Sequence, residues 1–345
     1  NVSGGDYDVN AHNLQGSGEA FGEALKTSSL KELKMVNCNL DAIDGKALAE
    51  GLAISASLTS LDLSRNYCGP ELGIAMADAL RVNTSLTQLD LQCNKLCGVW
   101  LAEDVLGQVE QKGFYDASGI KALADTMGIN ASLTSLGLGY NQLQDEGVTS
   151  ICYAVQSNKQ LKLASLDFEY NKITVVGAKS VAAMLAVTAS LTKLDLSSNV
   201  LCGIWTDWQG QQQGTYNVEG INAIASALCV STSLTAIDLS SNQLISIIEI
   251  DDEEVEKEVD GDIHTLGAEV VFRGTKFIVA TAATDEEYPI LKDLSGISAI
   301  AGALRISASL TLCDVSWNGL DRASKTLLKD CVKDKLNFNL GMYDR

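Results

Sequence analysis

Apolar side chains recur along the chain in a fixed pattern of nine positions, Leu-x-x-Leu-x-Leu-x-x-Asn. The alternation at its centre predicts one short strand per copy, because alternate side chains of a strand point to the same face. Six copies keep all the apolar positions and end in asparagine, at Asn66, Asn94, Asn141, Asn171, Asn199 and Asn242. The series is completed by two degenerate copies, with Cys38 or Asn318 in the final position, and by a partial copy at Tyr7, Val9 and His12.

The copies follow one another about every 28 residues, with three longer intervals. Successive asparagine-type positions are 28, 28, 47, 30, 28, 43 and 76 residues apart, which predicts insertions at about residues 97–116, 202–217 and 246–294. Between the strands, apolar residues three and four positions apart predict a helix, for example over residues 45–52, 119–124 and 220–228. Each repeat is therefore expected to contain a strand, a turn, a helix and a return loop.

One such unit cannot bury its apolar face alone, so neighbouring units must stack. We therefore predict an α/β solenoid with a parallel concave sheet, outer helices and three insertions that emerge on one edge. It forms a single domain over residues 1–345, with about eight repeats, a partial repeat at the N-terminus and a cap over residues 319–345. We expect each asparagine to turn its amide inward and bond backbone groups of the turn and of the next repeat.

These repeats resemble the leucine-rich repeats of the ribonuclease-inhibitor type over residues 7–345, apart from the insertions. The resemblance implies a horseshoe whose role is recognition, as in ribonuclease inhibitor, immune receptors and Ran GTPase-activating protein. The sequence Leu-Cys-Gly-Val/Ile-Trp followed by Gly-x-Tyr, which opens the first two insertions, is similar to repeats common in unicellular algae. That second resemblance implies no activity.

Charge and composition exclude several classes of function. The net charge of −19 disfavours binding to nucleic acid, because phosphates would be repelled. No apolar run is long enough to span a bilayer, so we expect no membrane insertion. Nine cysteines without paired spacing indicate reduced thiols and an intracellular protein, in the cytoplasm or in an organelle such as a plastid. With two histidines and no catalytic or phosphate-binding motif, we expect no catalytic residues, no metal site, no cofactor and no enzymatic activity.

The middle position of the strand motif is acidic in six of the eight copies, and its side chain is expected to face the concave side. These residues are Asp62, Asp90, Asp167, Asp195, Asp238 and Asp314, with Lys34 and Gly137 as the exceptions. Since neighbouring strands lie about 4.8 Å apart, four of the carboxylates would form a consecutive column. Two interpretations remain. Aspartate is simply the usual residue of this family at this strand position, or the column binds a basic partner.

The first two insertions are related to each other and are expected to form hairpins or ordered flaps. Trp100 and Tyr115 in the first correspond to Trp205 and Tyr216 in the second, which also carries Trp208. The tryptophans can cover the repeat edge opened by the insertion, or they can anchor a partner, since exposed Trp and Tyr dominate interface energetics.

The third insertion has two parts. Residues 249–262 contain nine acidic side chains and one lysine, which predicts a solvated acidic loop or a docking arm. Residues 270–279 predict a hairpin with Gly274-Thr275 at its turn, and Phe272 and Phe277 are its candidate contact residues.

Three functions remain open. The first is a non-enzymatic protein-binding or assembly scaffold that uses the insertion-bearing edge and the acidic concave face. The second is a regulator of an enzyme, either an inhibitor of a basic enzyme or a GTPase activator. The third is a structural subunit that forms homo-oligomers or joins a large assembly.

Overall fold

Short strands alternate with helices throughout the computed structural model, which describes residues 7–10, 13–103, 109–206, 211–249, 259–261, 263–272, 275–281 and 290–343. The strands are β1 (Tyr7–Asn10), β2 (Glu32–Val36), β3 (Ser60–Asp62), β4 (Gln88–Asp90), β5 (Val99–Glu103), β6 (Val109–Gly113), β7 (Ser135–Gly137), β8 (Ser165–Asp167), β9 (Lys193–Asp195), β10 (Ile204–Thr206), β11 (Gln212–Gly214), β12 (Ala236–Asp238), β13 (Ser246–Glu249), β14 (Val259–Asp260), β15 (Glu269–Phe272), β16 (Thr275–Thr281), β17 (Ile290–Asp293), β18 (Leu312–Asp314) and β19 (Asn339–Gly341). The helices are α1 (Gly18–Thr27), α2 (Ala42–Ile54), α3 (Gly69–Val82), α4 (Ser118–Met127), α5 (Gln144–Ser157), α6 (Val175–Leu185), α7 (Glu219–Val230), α8 (Ser295–Ile306) and α9 (Arg322–Val332).

Ten of the strands form one parallel sheet in the order β1-β2-β3-β4-β7-β8-β9-β12-β18-β19. The register keeps equivalent positions of the repeat side by side, so that Leu61 pairs with Leu89 and Leu89 pairs with Leu136. These leucines are almost completely buried between the sheet and the helices. The predicted leucine-rich-repeat solenoid, with parallel strands and alternating helices, is therefore confirmed.

A buried asparagine ends each regular repeat and bonds both its own turn and the preceding repeat. Asn141 is typical: its Oδ1 accepts the backbone N–H groups of Asn94 and Leu96 at 2.9 and 3.1 Å. Its Nδ2 donates to the carbonyl oxygens of Leu91, Leu138 and Gly139 at 2.9–3.1 Å. The expected inward amide is confirmed, and it joins one repeat to the next.

The same accepted and donated bonds to the preceding repeat occur at Asn66, Asn171, Asn199 and Asn318. Asn94 and Asn242 make the donated bonds of the pattern. We call this set the asparagine ladder.

The third insertion forms more structure than a hairpin. Strands β15 and β16 pair as predicted for residues 270–279, but they belong to an antiparallel sheet ordered β13-β17-β16-β15-β14. This sheet has its own small core of Ile263, Val270, Phe277, Val279 and Leu291. Gly274 and most of the acidic run lie outside the described residues. The flanks β13 and β17 pair with each other, so the insertion leaves and rejoins the solenoid through one two-stranded base.

Helix α9 and strand β19 lie within residues 319–345, for which a cap is predicted, and β19 continues the parallel sheet beyond β18. Within the described ranges, no helix is long and apolar enough to cross a bilayer.

We predict that Asn141→Ala lowers the free energy of unfolding by about 2–4 kcal/mol, because several buried backbone groups lose their partners at once. Urea unfolding followed by circular dichroism measures the change. Asn222→Ala, on the exposed surface of α7, is the control and should shift stability by less than about 0.5 kcal/mol. Equal effects of the two substitutions would contradict a structural role for the asparagine ladder.

Candidate functional site

The first two insertions form antiparallel hairpins on the edge where strands lead into helices. Strand β5 pairs with β6, and β10 pairs with β11. Gly113 and Gly214 lie in the left-handed region, with φ of +82° and +88°. A Cβ on either glycine would lie 2.8 Å from Cζ3 of the hairpin's tryptophan, Trp100 or Trp205. Each tryptophan ring therefore packs on the opposite strand at a point where no side chain fits.

The two tyrosines fasten the hairpins to the following repeat. The Tyr115 hydroxyl donates to the carbonyl oxygen of Leu143 at 2.7 Å, and the Tyr216 hydroxyl donates to that of Leu244 at 2.8 Å. Both tyrosines are half-buried, and burial raises the pKa of each phenol. Each tyrosine thus holds the base of its hairpin against the following repeat.

The two tryptophans differ in what covers them. The Lys95 ammonium lies 4.1 Å from the ring centroid of Trp100 and 4.3 Å from that of Tyr67, so a cation of the chain itself is held between the two rings. In the second hairpin, Val200 takes the place of Lys95 in the sequence. Trp205 is 47% exposed and borders an open cavity. Trp100 therefore lies against a cation of its own chain, whereas nearly half of the Trp205 surface is exposed beside the cavity.

This cavity has a volume of about 780 Å³ and lies on the hairpin-bearing edge, across the repeats of β7, β8, β9 and β12. We call it the edge cavity. Its lining includes Trp205, Tyr170, Lys172 and Gln243. Gln243 donates to the Thr206 hydroxyl at 2.8 Å, which holds the second hairpin against the repeat of β12.

The first hairpin reaches toward the same cavity. Lys172 Nζ donates to Oε1 of Gln111 on β6 at 2.8 Å. Burial lowers the pKa of Lys172, and the ammonium is the cationic group of the cavity wall. Glu146 on the wall is already paired with Lys121. The cavity thus combines an aromatic surface with one cation, Lys172, and with two carboxylates, Asp145 and Glu146, that are already bonded within the chain. This combination is suited to holding a protein side chain.

On the concave face, the register places the six aspartates in one row. Asp62 pairs with Asp90, and Asp167, Asp195, Asp238 and Asp314 follow one another without interruption. Gly137 stands between the two groups, and a Cβ there would lie 2.7 Å from Oδ1 of Asp90. The consecutive set of four predicted from the spacing is therefore present.

Each of these aspartates also has a local structural role. Its Oδ1 accepts the backbone N–H of the residue two positions later, at 2.8–3.0 Å in all six repeats. This bond turns the chain at the end of the strand. It gives the Leu-Asp-Leu motif a reason that requires no ligand.

Burial and neighbouring carboxylates nevertheless raise the pKa of several aspartates in the row. Burial, with Asp195, Glu169 and Asp90 nearby, raises the pKa of Asp167 to about 6. Burial also raises the pKa of Asp90 and Asp238. The Gln92 amide contacts the Asp167 carboxylate across the gap at Gly137. Negative charge is thus concentrated where the surface is partly shielded from water.

The other candidate residues lie elsewhere. Trp208 and the side chain of Phe272 lie outside the described residues. Phe277 is only 5% exposed and packs in the small core of the third insertion. Among the described residues, no group of three His, Cys, Asp or Glu side chains could hold a metal ion, and none of the nine cysteines forms a disulfide.

Three exposed or cavity-lining residues were not among the candidate contact residues taken from the sequence. Tyr170 and Lys172 flank Asn171 and both have positive φ, at 51° and 58°. Tyr170 also stacks on Tyr140, with ring centroids 4.7 Å apart. Phe114 on the first hairpin is 92% exposed, and its only sequence signal was that Thr215 replaces it in the second.

Comparisons with known proteins agree with this architecture. A family model described as a leucine-rich repeat matches residues 82–96, 130–152, 160–182 and 230–246. Ribonuclease inhibitor of Mus musculus is 30% identical over 182 residues, which is 52% of this chain and 36% of that protein. The chain therefore matches about a third of the length of this curated relative.

Two solved structures are similar at a low level. They are titled leiomodin-1 actin-binding site 2 and tropomodulin C-terminal domain of Caenorhabditis elegans, with 20% and 18% identity. Each covers 44% of this chain, and the matches span 79% and 84% of the respective structures. Both TM-scores are 0.33, too low to carry an argument. The repeat pattern, the parallel sheet with its asparagine ladder and the matched segments together show a leucine-rich-repeat solenoid, and 182 residues of it are similar to ribonuclease inhibitor.

Proposed function

We propose that the chain is a non-enzymatic protein-binding scaffold and that its partner docks on the hairpin-bearing edge. The observation that carries this proposal is the edge cavity, where Trp205 and Tyr170 are exposed beside Lys172. Exposed aromatic residues in a recess supply large contact area at low entropic cost. The partner is expected to insert an apolar or aromatic side chain and to offer Lys172 a hydrogen-bond acceptor.

The two hairpins support the same proposal through their rigidity. Each is fixed by a glycine-backed tryptophan and by a tyrosine bonded to the next repeat. A preformed wall loses little conformational entropy when a partner binds.

The cysteines, none of them in a disulfide, support placing this scaffold in a reducing, intracellular compartment.

A second candidate function is regulation of a basic protein through the aspartate row. Its support is the uninterrupted set of four carboxylates and the net charge of −19. The mouse relative is named as an inhibitor of ribonuclease, so an inhibitor of a basic enzyme is one form of this candidate. A GTPase activator is another form of this candidate function. Steep loss of the captured partner with added salt would favour this face, and salt-insensitive capture would favour the edge cavity.

We predict that Trp205→Ala abolishes stoichiometric capture of the partner, because it removes the exposed indole that lines the edge cavity. The measurement is affinity capture from native lysate followed by mass spectrometry, with wild type and variant run in parallel. The matched control is Tyr153→Ala, an aromatic residue that is 72% exposed on α5 and does not line the cavity.

The two variants distinguish a specific contact from a general loss of fold. A protein retained by wild type and by Tyr153→Ala, but lost with Trp205→Ala, supports the edge cavity. A protein retained equally by all three would contradict it. Urea midpoints of the three chains check that the solenoid stays folded, because Trp205 packs on Gly214 within its hairpin and lies outside the core of the repeats.

We predict that Asp167→Asn removes a pH-dependent penalty on stability. A carboxyl whose pKa rises from 3.8 to about 6 on folding makes the folded protein less stable as pH increases from about 4 to 6. An asparagine oxygen can still accept the Glu169 N–H, so the turn is kept. At pH 8 the variant should be more stable than wild type by about 1–3 kcal/mol, and near pH 4 the two should agree.

Urea unfolding at pH 4, 6 and 8 provides the measurement. Asp62→Asn, at the end of the row beside Lys34, is the control and should change the pH dependence less. If Asp167→Asn is destabilised at every pH, the carboxylate is needed for the fold and charge crowding in the row is not significant.

A further inference from the structure

The first two hairpins hold their tryptophan rings in the same way. Trp100 and Trp205 each lie six residues after an asparagine of the ladder. Each ring packs with its Cζ3 atom on a glycine of the opposite strand, Gly113 or Gly214, and a Cβ on either glycine would lie 2.8 Å from that atom. Because the two indoles are seated alike, the group that one of them holds indicates what the other can hold.

The first hairpin holds a cation on its indole. The Lys95 ammonium lies 4.1 Å from the ring centroid of Trp100 and 4.3 Å from that of Tyr67, so the charge is placed between two aromatic rings. Burial lowers the pKa of Lys95, which means that the ammonium has lost part of its contact with water. The negatively polarised ring faces compensate for this loss by attracting the charge. An indole in this setting is therefore a binding surface for an ammonium group.

The second hairpin has no lysine at the corresponding sequence position. Val200 directly follows the ladder asparagine there, as Lys95 does in the first hairpin. Lys95 has a φ of +59°, a conformation that a β-branched residue avoids, and the Val200 N–H donates to the carbonyl oxygen of Ile173 at 2.9 Å. Valine supplies no charge, and 47% of the Trp205 surface is exposed beside the edge cavity.

We propose that Trp205 binds a lysine or arginine side chain of the partner, through the same cation–π contact that the chain makes for itself at Trp100. This inference rests on the proposed function. It adds a cationic group to the apolar group and to the acceptor for Lys172 that the partner is expected to offer. Tyr170 lines the same cavity, so the aliphatic stem of the incoming side chain can pack on a second aromatic residue.

Charge favours a cation at this place. The net charge of −19 attracts basic groups to the chain over long distances. The charged side chains that line the edge cavity are two carboxylates, Asp145 and Glu146, and one ammonium, Lys172. Lys172 donates to Gln111 at 2.8 Å, and its repulsion of a second cation through water is weak and is lowered further by salt. A basic side chain is thus the charged group that suits this surface.

Two matched probes added to the full chain test the inference. N-acetyl-lysine methylamide carries an ammonium, and N-acetyl-norleucine methylamide has a similar stem without the charge. The indole N–H signals of the four tryptophans are followed by two-dimensional NMR as either probe is added up to about 50 mM, a range suited to one weak contact. The Trp205 signal, assigned with Trp205→Phe, should shift at least about threefold more with the lysine probe than with the norleucine probe.

Three variants check the sensitivity of the measurement and the sign of the charge. Lys95→Ala removes the chain's own cation from Trp100, so the Trp100 signal should now respond to the lysine probe as well. Lys172→Gln removes a positive charge from the cavity wall and should increase the Trp205 response to the lysine probe about twofold, without changing the response to norleucine. Lys46→Gln, an exposed residue of α2 with the same change of charge, is the control and should behave as wild type. A gain of response cannot come from unfolding.

Equal shifts of Trp205 with the two probes would overturn the inference and leave an apolar side chain as the group that meets this indole. An unshifted Trp205 would also overturn it, most clearly when Trp100 of Lys95→Ala does respond. A weaker Trp205 response in Lys172→Gln than in wild type would contradict the binding of a cation. The proposed function fails separately, because a partner that Trp205→Ala still captures contradicts the edge cavity independently of the probes.

Discussion

The interaction on which the structure depends is the buried asparagine at the end of each strand. The chain around it follows a costly path, since residues on both sides of the asparagine lie in the left-handed region, as Tyr140 and Gln142 do around Asn141. Such a conformation costs a side-chain-bearing residue about 1 kcal/mol or more. The five hydrogen bonds of Asn141 offset this cost and join its repeat to the preceding one. The turn therefore persists only as part of a stack.

The same turn decides where the candidate binding residues stand. Tyr170 and Lys172 are the two left-handed neighbours of Asn171, and both reach the edge cavity. The hairpins begin a few residues after Asn94 and Asn199, so their origins are fixed by the same ladder. A rigid internal network thus supports side chains that make no contribution to the core. The candidate binding residues can therefore be substituted without removing a core side chain.

The sequence was sufficient to predict features that depend on one repeat or on the strict register between repeats. The asparagine ladder and the consecutive Asp167, Asp195, Asp238 and Asp314 are of this kind, because stacking brings equivalent positions together. The contrast between Trp100 and Trp205 was not predictable, since it depends on Lys95 lying between two rings from different repeats. The sheet of the third insertion was not predicted, for a similar reason. Strands β13 and β17 are far apart in sequence, and local periodicity carries no signal of their pairing.

Insertions on the hairpin-bearing edge leave the opposite edge of the solenoid unchanged. Leu89 and Leu136 pair across the first insertion in the same register as Leu61 and Leu89, which have none between them. Val82 and Ile129 therefore lie at equivalent positions of successive repeats although 47 residues separate them. The helices return the chain to the same level after every insertion, so the length of a hairpin does not change the positions of the turns that follow the helices. A substitution on the hairpin-bearing edge therefore leaves the opposite edge of the solenoid unchanged.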